Sequence, residues 1–158
     1  MIKILAVGKI KEKAMLALID EYRKRLSPFT KVEITEVNDE HAPQTNSDAE
    51  NELVKEKEGK RLLAQIKEND FVILLDLWGK MFDSEEFAKK IDQLQTQGNS
   101  TLIFVIAGSL GPSKQVVDRS DLRWKLSDLT FTHQMTRVLV LEQIYRAYMI
   151  NNHRPYHK

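Results

Sequence analysis

Apolar residues recur along this chain with two periods, one typical of strands and one typical of helices. Short apolar or alternating runs predict five strands, at Met1–Val7, Lys31–Val37, Asp70–Leu75, Thr101–Ile106 and Leu122–Leu126. The third and fourth runs overlap the segments VILLDL and TLIFVIA, which are almost continuously apolar. Such runs are typical of central strands buried on both faces.

Helical patterns alternate with these strands. Four helices are predicted. The apolar face of the first carries Met15, Ile19, Tyr22 and Leu26. The second runs from a capping box at Ser47–Glu50 to about Ile66, the third begins with a box at Asp83–Glu86, and the last runs from about Thr132 to Asn151. Gly59 is a weak point in the second helix, and the polar stretch Asn38–Asp48 before it predicts a surface loop. The alternation predicts one α/β domain, residues 1–158, with a mostly parallel sheet and helices on both faces.

Composition narrows the class of protein. Hydrophobic residues make up 42% and charged residues 30% of the 158 positions, as in ordinary soluble proteins. No apolar run approaches the roughly 18 residues of a membrane span, and the N-terminus has no signal-peptide pattern. The chain has no cysteine, which excludes disulfides and thiolate chemistry. We therefore expect a cytoplasmic protein without a membrane partner.

The formal net charge of +1 gives no general argument for nucleic-acid binding. RNA contacts would have to come from local basic patches such as GKIKEK, YRKR and the terminal HRPYHK. No GxGxxG or GxxxxGK[ST] motif is present, and no His, Asp and Glu cluster has the spacing of metal ligands. No metal is therefore expected.

Ligands of open α/β sheets bind at the carboxyl ends of the strands. Three irregular segments are predicted to meet there: LDLWGKMFD after the third strand, AGSLGP after the fourth and KLSDLTFTHQ after the fifth. The glycine spacing in AGSLGP is, by itself, more typical of a plain turn than of a binding loop.

The last helix has a polar, solvent-facing stripe and an apolar face. The stripe consists of Thr136, Glu142, Gln143 and Arg146, and the apolar face of Leu141, Ile144 and Tyr148. His133 and Arg137 begin the apolar face, within about 40° of each other. Considered alone, they favour a helix cap and a buried ion pair. The competing interpretation is a binding site for an anionic or electron-rich ligand at the helix start. A long apolar helix also suits dimer packing.

Longer segments show a resemblance that spans essentially the whole chain. They are ILAVGKIKEK, KEKEGKRLL, LDLWGKMFDSEEFA, FVIAGSLG, LSDLTFTHQMTRVLVLEQIYRA and the terminal PYHK, in this order. The chain resembles the SPOUT-class methyltransferases that modify a pseudouridine of large-subunit (23S) ribosomal RNA. The resemblance implies a SPOUT-type α/β knot, with a C-terminal trefoil knot, and a homodimer. It also implies S-adenosylmethionine as donor and methylation at N3 of the pseudouridine, on the assembled ribosome.

The resemblance assigns the donor pocket to the ends of three strands. Its expected lining is Leu75, Ala107, Gly108, Leu126, Ser127, Asp128, Leu129, Thr130 and Phe131. The chain departs from the family pattern at Ala107, where the family commonly has glycine, and at Thr132, where it has proline. Because threonine is a good N-cap, we expect the helix entry to be preserved by different means.

Within this resemblance, four residues are expected to act on the RNA base. Arg137 would stabilise negative charge on the base or bind an RNA phosphate, and His133 would position the base or relay its proton. Tyr156 and His157 would close over the target, from the same chain or the partner subunit. RNA contacts are expected from Lys9, Arg154 and Lys158.

Two other functions stay open at this point. A ribosome-associated assembly factor would keep the fold without the chemistry, and would have no affinity for S-adenosylmethionine. A nucleotide- or flavin-binding oxidoreductase of flavodoxin-like shape would show the same periodicity, and would bind flavin or a nicotinamide cofactor.

Overall fold

A computed structural model describes residues 1–41 and 47–158, so part of the predicted loop Asn38–Asp48 lies outside the described residues. In chain order the elements are β1 (Ile2–Val7), α1 (Lys13–Leu26), β2 (Val32–Val37), α2 (Asp48–Leu63), β3 (Phe71–Lys80), α3 (Ser84–Thr96), β4 (Leu102–Ile106), α4 (Lys114–Arg119), β5 (Leu122–Trp124) and α5 (His133–Asn151). The predicted alternation of strands and helices is confirmed.

All five strands lie in one sheet in the order β2-β1-β4-β3-β5, and every neighbouring pair is parallel. The parallel α/β class predicted from the sequence is therefore confirmed. A flavodoxin-like sheet has the order 2-1-3-4-5. In this chain β4 lies between β1 and β3, so the flavodoxin-like alternative is wrong.

Helices cover both faces of the sheet. On β1, Ile2, Ile4 and Ala6 join one core with residues of α1, α3 and α5. Leu5 and Val7 point the other way and join a second core with residues of α2 and α4. Successive side chains of a strand alternate between faces, which explains why consecutive positions are apolar from Ile4 to Val7 in β1 and from Leu102 to Ile106 in β4.

The short helix α4 was not predicted, because six residues are too few to show a period. The Ser113 side chain caps it by accepting a hydrogen bond from the Val116 N–H at 3.3 Å. Gly59 of α2 packs against Ser113, and a Cβ at residue 59 would overlap the serine hydroxyl. The predicted weak point of α2 is therefore required for close packing of α2 on α4.

Strand β3 continues past its predicted end at Leu75. Both Leu75 and Lys80 pair with Trp124, so the residues between them leave the regular ladder. At Gly79 a Cβ would stand 2.6 Å from the backbone carbonyl of Arg123, which shows how closely β3 and β5 approach. The segment that was expected to be irregular is thus an interrupted strand, because its pairing depends on β5 and not on its own apolar pattern.

The predicted helix starts are in place. The side chains of Ser47, Asp83 and Thr132 each accept a hydrogen bond from the backbone N–H three residues on. Thr132 Oγ1 lies 3.2 Å from the Met135 nitrogen, so threonine caps α5 as expected. Within residues 1–41 and 47–158, no helix combines the length and apolar character needed to cross a bilayer.

Candidate functional site

A cavity of ≈ 640 Å³ opens at the carboxyl ends of β3, β4 and β5. Its main lining comes from residues 75–78, from residues 106–112, and from residues 126, 127 and 129–134. These are the three segments that the sequence predicted to meet at this edge of the sheet. The walls are largely apolar.

The expected donor-pocket residues meet at this cavity with one exception. Those that line it are Leu75, Ala107, Gly108, Leu126, Ser127, Leu129, Thr130 and Phe131. The Asp128 side chain does not line the cavity; it is 79% exposed and forms an ion pair with Lys125 at 2.6 Å. Both loops hold tight turns, since the Gly111 N–H donates to the Gly108 carbonyl and the Leu129 N–H to Ser127 Oγ, each at 3.0 Å.

Sequence reasoning missed three residues that line the same cavity: Lys55, Asp76 and Trp78. Asp76 is buried, accepts from the Trp78 N–H at 3.0 Å and binds Arg123 Nε at 2.5 Å. A carboxylate at the end of the apolar run VILLDL was the available signal, because a buried charge needs a partner or a ligand. Lys55 arrives from α2, which no pattern connected with this edge.

A second, polar groove of ≈ 540 Å³ shares residues with the cavity. It is lined by Gly8, Lys9, Lys11, Glu12, Asn38, Asp39, His133 and Gln134. His133 and Gln134 also line the donor cavity, so the first turn of α5 forms the boundary between the two. This position agrees with the binding interpretation of His133, and it places Lys9 in the groove. In the part of the chain that the structure describes, no three His, Asp or Glu residues form a metal-binding cluster.

Arg137 lines neither cavity, and its side chain is only 2% exposed. Nη1 binds Glu36 Oε2 at 2.5 Å and Nη2 donates to the Gly8 carbonyl at 3.2 Å. Its Nε has no partner among the described residues. The structure thus contains the buried ion pair that was the alternative interpretation. A direct contact of Arg137 with RNA stays a prediction, and requires the guanidinium to become accessible.

The chain terminus packs on the later turns of α5. Tyr156 donates to Glu142 Oε1 at 3.0 Å, and Arg146 binds the same oxygen at 2.5 Å. Arg146 Nη1 lies 3.1 Å from His157 Nδ1. Because arginine only donates, Nδ1 is the acceptor and the imidazole proton sits on Nε2. Glu142 and Arg146 were expected on a solvent-facing stripe; instead the terminus partly covers them.

The surroundings of Tyr156 in this terminal cluster keep its phenol protonated. Burial, together with the hydrogen bond to Glu142, raises the pKa of Tyr156. The hydrogen bond to Glu142 also raises the pKa of Arg146. The Arg146 guanidinium lies 4.7 Å from the centre of the Tyr156 ring, in a cation–π contact. At neutral pH the phenol therefore keeps its proton and donates a hydrogen bond to Glu142, and Arg146 stays charged.

The predicted site residues form two separate groups within one chain. His133 and eight of the nine expected donor-pocket residues lie at the cavity, whereas none of the four terminal residues lines it. Those four are Arg154, Tyr156, His157 and Lys158. Arg154 is exposed, with its guanidinium 5.8 Å from the centre of the Phe29 ring, and Lys158 is exposed.

Residues 1–157 match the family model described as "Predicted SPOUT methyltransferase". "Ribosomal RNA large subunit methyltransferase H" of Clostridioides difficile (strain 630) is 54% identical over 157 residues, 99% of each chain. The protein of the same name from Clostridium novyi (strain NT) is 51% identical over the same share. A probable methylase family protein from Haemophilus influenzae Rd KW20 is similar in structure, with a TM-score of 0.53 at 11% identity, over 99% of this chain and 70% of that one. The structural likeness concerns the fold, and the sequence matches confirm the resemblance.

Proposed function

Because the chain belongs to the SPOUT methyltransferase family, we propose that it methylates N3 of a pseudouridine in large-subunit ribosomal RNA, with S-adenosylmethionine as donor. The observation that carries this proposal is the cavity at the carboxyl ends of β3, β4 and β5, in a chain 54% identical to a ribosomal RNA methyltransferase. In this proposal residues 1–158 are one domain with a C-terminal trefoil knot, acting in the cytoplasm on the assembled ribosome.

The residues around the cavity suit S-adenosylmethionine. A volume of ≈ 640 Å³ lies within the roughly 300–1,000 Å³ of small-molecule sites. Leu75, Leu126 and Phe131 offer apolar walls for an adenine ring, and Lys55 and Asp76 offer one charge of each sign for the amino-acid part. When bound, the donor supplies a methyl group on a sulfonium, which is already an activated electrophile. The task of the chain is then to align the acceptor nitrogen.

His133 is the residue best placed to meet the acceptor base. It lines both the donor cavity and the polar groove, so a base that enters from the groove reaches the donor beside this imidazole. His133 would hold the base or accept the N3 proton at a ring nitrogen. Lys9 lines the groove and would contact backbone phosphate.

In this proposal Arg137 has a structural role and does not contact the RNA. A direct role would require the guanidinium to leave both Glu36 and the Gly8 carbonyl. We assign it instead to holding the start of α5, and with it His133, against the carboxyl ends of β1 and β2. Loss of Glu36 would leave the buried guanidinium of Arg137 without its charged partner, which is costly.

The proposed enzyme is a homodimer in which the terminus of one copy completes the site of the other. The terminus does not line the cavity of its own chain. The cavity wall also carries exposed apolar side chains: Leu77, Trp78 and Leu129 are 58%, 84% and 70% exposed. Exposed apolar patches of this kind mark interaction surfaces. In the dimer Tyr156 and His157 would close over the base, and Arg154 and Lys158 would bind RNA backbone.

Two measurements test the reaction. Calorimetry of the purified chain should show binding of S-adenosylmethionine; no binding would favour the assembly-factor alternative. Ribosomes from cells that lack the protein should gain one methyl group on a pseudouridine-containing fragment of large-subunit RNA after incubation with protein and donor, as measured by mass spectrometry. An RNA mass that is the same in cells with and without the protein would overturn the proposal.

A mixing experiment tests the composite site. A His133→Ala chain and a chain lacking Pro155–Lys158 should each be inactive alone. Co-expressed, they should form mixed dimers in which the pocket of the truncated chain receives the terminus of the other copy, and activity should return. If each terminus serves its own chain, the mixed dimer stays inactive.

A further inference from the structure

Glu58 is a buried carboxyl group directly behind the glycine loop, residues 107–111. It belongs to α2, is 5% exposed, and accepts from the Glu40 N–H at 3.0 Å. A Cβ built on Gly108 would stand 2.7 Å from Glu58 Oε1 and 3.2 Å from Oε2. The carboxyl group therefore packs on the main chain of the loop, with no room for a side chain between them.

At position 108 a side chain is disfavoured by lack of space. The glycines with positive φ are Gly8, Gly98 and Gly111, and Gly108 is not among them. An L-residue could adopt its backbone conformation, so the constraint comes from Glu58 and not from dihedral freedom.

The loop is held between the donor cavity and α2. Gly108 lines the cavity, whereas Glu58 does not. At the far end of the loop, Gly59 packs on Ser113, the N-cap of α4. The consecutive residues 58 and 59 thus contact both ends of the segment that walls the donor cavity after β4.

We propose that Glu58 is a positioning residue for donor binding, because its carboxyl group forms the rear wall that sets how far the glycine loop stands from β3. The inference rests on the proposed function for the identity of the donor. It gives a role to Glu58 and Gly59 of the motif KEKEGKRLL, of which Lys55 alone lines the cavity.

The wall acts by its volume, and the charge of Glu58 is secondary. Burial raises the pKa of Glu58, and the negative charges of Asp39 and Glu40 add to that rise. The N–H of Glu40 and the charge of Arg61 oppose it. The ionised and neutral carboxyl groups have the same shape, so Glu58→Gln is a volume-matched control.

The test is a double-mutant cycle between residues 58 and 108, read by calorimetry with S-adenosylmethionine. Gly108→Ala places a methyl group against the carboxyl and pushes the loop into the cavity, so donor affinity should fall about tenfold, as expected of overpacking. Glu58→Gln should stay within about twofold of the wild type. Glu58→Ala combined with Gly108→Ala should recover affinity relative to Gly108→Ala alone.

The outcomes separate this inference from the proposed function. If the wild-type chain binds no S-adenosylmethionine, the proposed function fails and the inference with it. If the wild type binds S-adenosylmethionine and the double variant binds it no more tightly than Gly108→Ala, the added methyl group does not act through Glu58. The inference alone is then overturned. Thermal unfolding without donor monitors folding of each variant. If Gly108→Ala does not fold alone, a double variant that folds and binds donor supports the inference, and one that does not fold overturns it.

Discussion

Two arginines of the same helix make ion pairs of equal length in opposite surroundings. Arg137, in the first turns of α5, binds Glu36 at 2.5 Å, with a side chain that is 2% exposed. Arg146, later in α5, binds Glu142 at 2.5 Å, with a side chain that is 25% exposed. The partner of Arg137 lies 101 residues away on β2, whereas that of Arg146 lies four residues before it.

The difference distinguishes an arginine that holds the fold around the site from an arginine that organises the chain terminus. The bond between Arg137 and Glu36 couples two distant elements, and losing Glu36 would leave an uncompensated charge on the buried arginine. A pair four residues apart on one helix, such as Arg146 and Glu142, contributes little to stability by itself. Arg146 and Glu142 instead organise the chain terminus through Tyr156 and His157. The Arg137 pair therefore connects α5 to the sheet, whereas the Arg146 pair holds the chain terminus, which in the proposed function contacts the RNA.

The largest expected effect is on the scaffold pair. Arg137→Ala should lower the free energy of unfolding by about 2–3 kcal/mol, because a buried side chain is lost together with its bonds to Glu36 and the Gly8 carbonyl. Urea denaturation followed by circular dichroism measures this. Unchanged unfolding with methylation abolished would instead assign Arg137 to direct contact with the RNA.

Removal of the terminus should affect catalysis and leave the scaffold intact. Deleting Pro155–Lys158 should reduce methyl transfer to ribosomes about 100-fold, as misplaced catalytic groups do. Donor affinity by calorimetry should stay near the wild-type value, because these residues do not line the donor cavity. Wild-type turnover in the deletion would remove the terminus from the mechanism.

Arg146→Ala should give a smaller version of the same effect. The terminus keeps its other contacts, so methyl transfer should fall about tenfold while the free energy of unfolding changes by less than about 1 kcal/mol. Arg146→Lys should recover only part of the activity, since lysine lacks the planar fork that reaches Glu142 and stacks on Tyr156. Lys114→Ala, which breaks an exposed pair with Asp118, is the control and should change neither quantity. A loss of stability as large as that of Arg137→Ala would erase the distinction between the two arginines.

The smallest effect should come from the cap of α5. Thr132→Ala removes the acceptor for the Met135 N–H and should cost about 1 kcal/mol of unfolding free energy. Thr132→Ser keeps the hydroxyl and should unfold like the wild type. Equal stability of both variants would show that the sheet, through Arg137, positions the start of α5 without help from its cap.

Features that depend on neighbouring residues were readable from the sequence. The five strands were located, although β3 ends later and β5 earlier than predicted. The caps at Ser47, Asp83 and Thr132 were also predicted. Both predictions succeed because apolar periodicity and capping involve residues at most a few positions apart. The segments of the donor cavity were also predicted, since parallel strands bring their carboxyl ends to one edge. The short helix α4 and the continuation of β3 were not predicted from the sequence.

Which surfaces meet was decided only by the tertiary structure. The strand order, the pairing of Arg137 with Glu36 and the packing of Glu58 behind Gly108 join residues dozens of positions apart. No local pattern records such a partner, because the same buried arginine or carboxyl suits any complementary group that the topology brings near. The sequence therefore determined the elements and the edge of the sheet where the cavity opens. The packing of distant elements decided that Arg137 is buried against Glu36 and that the polar stripe of α5 receives the chain terminus.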